Sequence, residues 1–241
     1  MSAPPAGPPP PGARAPAAVA FCPVPPLLLP AVEVRPDAAT TALRRACAAA
    51  VAEMLVVRPR VVVVVAPGAG PGERFGAGDA GRLSGFGVDV TIPFEGPVGP
   101  GRRPVPWAHA LGAWLLDQAG FAGTRIGVGP ADLGQVARDL PAPWAVLAMG
   151  DGSARRSVKA PGYLDDAAAP FDAAVASALG AGDPAALAGL DAAEGERLLA
   201  AGVPVWRAVG DALAGRTVTA QLHHDAAPLG VGYLAASWVV A

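Results

Sequence analysis

Arg60-Val61-Val62-Val63-Val64-Val65-Ala66 is closed off by Pro59 on one side and by Pro67-Gly68 on the other. Five consecutive β-branched residues without a polar alternation predict a strand covered on both faces, and the run is too short for a helix of comparable burial. A strand of that kind belongs in the middle of a parallel sheet, which needs crossover helices to connect its neighbours. The sequence supplies them. Upstream, Val19 to Cys22 reads as a short first strand that runs into Pro23-Val24-Pro25-Pro26. From Asp37 an Ala-rich helix places Leu43, Ala46, Cys47, Ala50, Val51, Met54 and Leu55 at helical spacing and stops before Pro59. Downstream, Pro106 to Phe121 reads as an amphipathic helix, Thr124 to Val128 as a strand and Pro130 to Leu140 as a helix.

A second buried strand, Trp144 to Met149, ends in Gly150-Asp151-Gly152-Ser153. Helices are expected over Asp165–Leu179, Pro184–Leu190, Ala192–Ala200 and Pro204–Leu213, with closing strands at Thr217–Leu222 and Gly230–Val240. The Gly- and Pro-rich stretch after Ala66 reads as an elaborate connection with one strand, Val88 to Ile92. The expected fold is therefore α/β, a single-domain sandwich with a mainly parallel central sheet and helices on both faces. Residues 1–16 form a Pro-rich, low-complexity tail in which each proline removes a hydrogen-bond donor, leaving residues 17–241 as the folded domain.

Composition removes several function classes. The net charge is −2, and the basic residues form no run longer than pairs such as Arg102-Arg103 and Arg155-Arg156, so no electrostatic footprint for nucleic acid exists. No stretch approaches about twenty apolar residues, and Ala17 to Leu29 is broken by prolines at 23, 25 and 26, which argues against a membrane span or a secretory signal. Cys22 and Cys47 lack CxxC spacing and read as reduced structural thiols of a cytoplasmic protein. Ala66-Pro67-Gly68-Ala69-Gly70-Pro71-Gly72 follows a strand as a phosphate cradle would. A Walker loop needs a lysine there, and the single lysine is Lys159.

The chemistry-bearing residues gather in two places. Asp151 and Ser153 project from a loop at the carboxyl end of a buried strand, where open α/β sheets put their sites. The same residues in a bland role would cap the turn through side-chain to backbone bonds. No Gly-x-Ser-x-Gly elbow surrounds Ser153. His223-His224-Asp225 forms the other group, although neighbours on a regular strand face opposite sides and cannot share one ion without a bend. His109 reads as a helix residue, partly buried or solvated, and Asp165-Asp166 and Phe171-Asp172 as helix starts.

Four segments in order resemble the class III extradiol ring-cleavage dioxygenases, in the branch formed by their B-type chains. They are Ala20 to Leu28, Val61 to Gly68, Gly150-Asp151-Gly152-Ser153 with Pro161-Gly162-Tyr163 and Phe171-Asp172, and Asp225 to Tyr233. The resemblance implies a ferrous iron held by two histidines and a glutamate, a small aromatic substrate, and a further histidine as acid/base catalyst. At the matching positions this chain has Val24, Gly68 and Ala154, none of which offers a lone pair. Glu194 matches the glutamate by order alone. The expectation is a divergent member without ring-cleavage activity, metal-free and needing no cofactor, that serves as a scaffold or binds a small molecule in a pocket lined by Val24, Gly68, Asp151, Gly152, Ser153 and Ala154. The alternative is an active oxidoreductase with a relocated site at Asp151, Ser153, His223 and His224, which would require ferrous iron. The Trp and Val content permits a homo-oligomer.

Overall fold

The computed structural model describes residues 15–241. The expected tail lies outside the described residues except for Ala15 and Pro16, which lead into the first strand, Pro16 already buried. In chain order the elements are β1 (Ala18–Cys22), α1 (Ala38–Leu55), β2 (Val61–Val65), β3 (Arg74–Phe75), β4 (Ala80–Arg82), β5 (Thr91–Pro93), α2 (Trp107–Gln118) and β6 (Thr124–Val128). They continue with α3 (Leu133–Ala137), β7 (Trp144–Met149), α4 (Ala168–Ala181), α5 (Pro184–Ala188), α6 (Ala192–Arg197), α7 (Val203–Ala212), β8 (Val218–Ala226) and β9 (Tyr233–Val240).

The fold is α/β, built on a seven-stranded sheet in the order β3-β6-β2-β7-β1-β9-β8. Its four central strands, β6, β2, β7 and β1, are mutually parallel, while β3, β9 and β8 pair antiparallel at the two edges. The valine run sits where its composition demands. Val61 to Val65 ladder with β6 on one side and β7 on the other, and Val62, Val63, Val64 and Val65 are fully buried. Alternate valines feed the two halves of the core: Val62 and Val64 pack with α1 and α2, Val63 and Val65 with α3, α4 and α7.

Local signals explain the element ends. Asp37 caps α1 by accepting the Thr40 N–H, and Asp183 and Asp191 cap α5 and α6 in the same way, each satisfying a donor that the first helical turn leaves free. No helix of the described residues is long and apolar enough to cross a membrane.

Several expectations need correction. The strand expected at Val88–Ile92 is the shorter β5, which pairs with β4 in a separate two-stranded sheet, and β3 had no counterpart in the periodicity. The helix expected over Pro130–Leu140 is a 3-10 turn at Pro130–Asp132 followed by the five residues of α3. Asp172 does not mark a helix start. It lies in the second turn of α4, fully buried, because its carboxylate is needed inside the fold.

Candidate functional site

The carboxyl ends of β1, β7 and β2 lie side by side, and the loops that leave them build one site. After β1 the chain passes through Pro23 to Val24, whose peptide is held from two directions. Its N–H donates to Asp151 Oδ1 at 2.7 Å, and its carbonyl accepts from the indole Nε1–H of Trp107 at 2.9 Å. These bonds tie the end of β1 to the loop after β7 and to the first residue of α2. Trp107 in turn meets Phe86 edge to face, with ring centroids 4.6 Å apart. After β2, Gly68 adopts φ +100°, and a Cβ there would lie 3.1 Å from Pro106 Cβ, next to Trp107. Only glycine takes that backbone freely, so a histidine at 68 would be strained as well as crowded.

The Gly-Asp-Gly-Ser loop divides into framework and one carboxyl that holds a single side-chain bond, the one from Val24. Gly150 approaches Gly202 so closely that a Cβ would fall 2.4 Å from its Cα. Gly152 N–H donates to the Gly232 carbonyl at 2.7 Å, and Gly232 N–H donates to the Ser153 carbonyl at 2.8 Å. Ser153 is completely buried. Asp172 accepts from its N–H at 2.8 Å and from its hydroxyl at 2.7 Å, and pairs with Arg156 at 2.9 Å. The Ser153 hydroxyl is therefore spent on a structural bond and has no histidine beside it to act as base. Ala154 continues this framework: its N–H donates to Leu198 and its carbonyl accepts from Gly162, while the side chain packs on the α1/α2 side of the core, as do Val24 and Trp107.

Asp151 is the exception. Its side chain is half-buried, and burial pushes its carboxyl up to about 7 against the opposing pull of the Val24 N–H. Tyr233, the first residue of β9, is raised to about 12 by burial and by the nearby Asp151 charge. A carboxyl that exchanges its proton near neutrality can both donate and accept a hydrogen bond; Tyr233 lies near enough to feel its charge, and Trp107 is bonded to the same Val24 peptide that Asp151 holds. Sequence reasoning named Asp151 but did not place Trp107 and Tyr233 beside it. An aromatic side chain at each element's start was the available signal.

The sheet does not gather the second group of candidates around Asp151. His223 and His224 lie on edge strand β8, three strands from β7, or about 14 Å by strand spacing. His223 Nε2 pairs with Ser237 Oγ at 2.9 Å, and that hydroxyl donates to Glu53 of α1. A register shift between Leu222 and His224 breaks the strict alternation expected of a strand. Even so, among the described residues no three His, Cys, Asp or Glu side chains come together as a metal-binding group. Glu194 is committed to an ion pair with Arg197 on α6. His109 is more buried than expected, with no exposed surface. Its Nε2 bonds the Val128 carbonyl at 2.9 Å, and burial lowers it to about 4, so it is neutral and structural.

Val24 and Gly68 thus stand where the resemblance would put the two iron-ligand histidines, and Ala154 where it would put the acid/base histidine, so an isopropyl group, a hydrogen atom and a methyl group replace three imidazoles. Such a set does not suit ferrous iron. No family model and no curated protein matches the chain.

Proposed function

We propose that this protein is a metal-free relative of the class III extradiol dioxygenases that binds a small phenolic molecule and leaves its ring intact. The reading rests on Asp151. It is a half-buried carboxyl with a proton affinity near neutrality, set at the carboxyl ends of β1 and β7, with Trp107 and Tyr233 close by. In this reading Asp151 exchanges a hydrogen bond with the phenolic hydroxyl, and Trp107 and Phe86 supply ring faces for the aromatic body. The order of the resembling segments supports the kinship, and the absence of imidazole at 24, 68 and 154 supports binding without oxygen chemistry. We assign no nucleophilic role to Ser153, since its hydroxyl is committed to Asp172. A cytoplasmic location belongs to the same proposal, because Cys22 and Cys47 are both free and buried, as suits a reducing compartment.

Calorimetric titration with catechol, phenol and cyclohexanol tests the reading. The phenols should bind one per chain, cyclohexanol more weakly, and Asp151→Ala should weaken phenol binding about tenfold, the value of one hydrogen bond to a buried polar group. Incubation with ferrous iron, dioxygen and catechol should yield no ring-opened product. Stoichiometric iron in protein from its native host, or ring cleavage, would overturn the proposal in favour of an active enzyme.

A further inference from the structure

Away from the strand ends, α1 and α2 lie on the same face of the sheet and leave a groove of about 650 Å³ between them. One wall is a stripe at helical spacing, Arg44, Ala48 and Ala52 of α1 with Val56 at its C-terminal end; the other is Trp114, Leu115 and Gln118 of α2. The stripe runs about 18 Å, twelve residues at 1.5 Å each. Small side chains on α1 hollow the groove, and the half-buried indole of Trp114 forms its far wall.

One charge stands in this apolar lining. Arg44 donates from Nη2 to the carbonyls of Leu27 at 2.6 Å and Glu33 at 3.0 Å, while its buried Nε–H has no acceptor. Glu33 offers its backbone carbonyl and not its carboxylate, so among the described residues the guanidinium has no ion-pair partner. A half-buried cation held only by neutral groups favours an anion beside it. With no second basic side chain in the lining, the match is to a single negative charge.

We propose that the α1–α2 groove binds an elongated apolar molecule carrying one carboxylate, its chain along Ala48, Ala52 and Val56 and its head at Arg44. The volume falls within the range of small-molecule sites, about 300–1,000 Å³. This site is separate from the one at Asp151 and does not depend on it.

Dodecanoate, kept below its micelle concentration and titrated calorimetrically into the full chain, is the probe. It should bind one per chain, with dodecan-1-ol at least about tenfold weaker for want of the charge-assisted bond. Arg44→Gln should bring dodecanoate down to the level of the alcohol, and Ala52→Trp should fill the groove and abolish binding of both. Asp151→Asn should leave dodecanoate affinity unchanged. If Ala52→Trp fails to fold, amide shifts of the wild-type protein take its place, with perturbations confined to Ala48, Ala52, Trp114 and Gln118. Absent binding, equal affinity for acid and alcohol, or an unaffected Arg44→Gln variant would each overturn the proposal. So would a dimer in sedimentation velocity that Ala52→Trp dissociates, which would assign the groove to a second copy of the chain.

Discussion

Replacing Asp151 with asparagine isolates the feature on which the functional reading rests. In the folded protein the Asp151 carboxyl holds its proton up to about 7, because burial penalises the anion, whereas in the unfolded chain it releases it near the ordinary value of 3.8. Between those values the folded state binds the extra proton, so its stability falls as pH rises through that window and levels off above 7. The gap of about three pH units corresponds to roughly 4 kcal/mol at most, and partial solvent contact at the half-buried side chain lowers it. Over the accessible range from pH 5 to pH 8 the loss should be about 2–3 kcal/mol. Asparagine keeps an oxygen for the Val24 N–H and cannot ionise. The stability advantage of Asp151→Asn over the wild type should therefore grow by that amount between pH 5 and pH 8. Urea unfolding across the range, with equal m-values, measures the difference, and carboxyl ¹³C titration reads the group directly. Parallel stability profiles for the two proteins, or a carboxyl titrating near 4, would refute the argument, because either would mean that water reaches Asp151 freely.

Asp172→Ala should cost about 2–6 kcal/mol, since the buried N–H and O–H of Ser153 each lose their acceptor at about 1–3 kcal/mol; a shift in urea midpoint no larger than that of the exposed cap variant Asp191→Ala would count against it. Val63→Asp should prevent folding, because an unpaired carboxylate in a strand flanked by β6 and β7 costs several kcal/mol, comparable to the whole stability of a domain. Circular dichroism and soluble yield report that outcome, and a folded variant would contradict the central placement of β2. Gly68→Ala should destabilise by about 1–3 kcal/mol through its φ of +100° and the contact with Pro106, a loss that a denaturation midpoint resolves and that a neutral result would disprove.

Several parts of the fold were legible because they rest on local chemistry. An uninterrupted run of valines between prolines can be stable only where both faces are covered, so Val61 to Val65 had to be a central strand. Asp37 before an apolar 3.6-residue period had to open a helix, and glycines around Asp151 announced a tight turn at a strand end. Other features depend on which distant segments meet. Nothing near Asp172 in the chain marks it as buried; its partner Ser153 is nineteen residues away, and only the docking of α4 against the β7 loop brings them together. The antiparallel edge formed by β9 and β8 carries His223 and His224 away from Asp151, a matter of strand order that periodicity does not encode. Most of all, the proton affinity of Asp151 comes from burial between the ends of β1 and β7. A sequence names the carboxyl, but its desolvation is a property of the surfaces that tertiary packing closes around it.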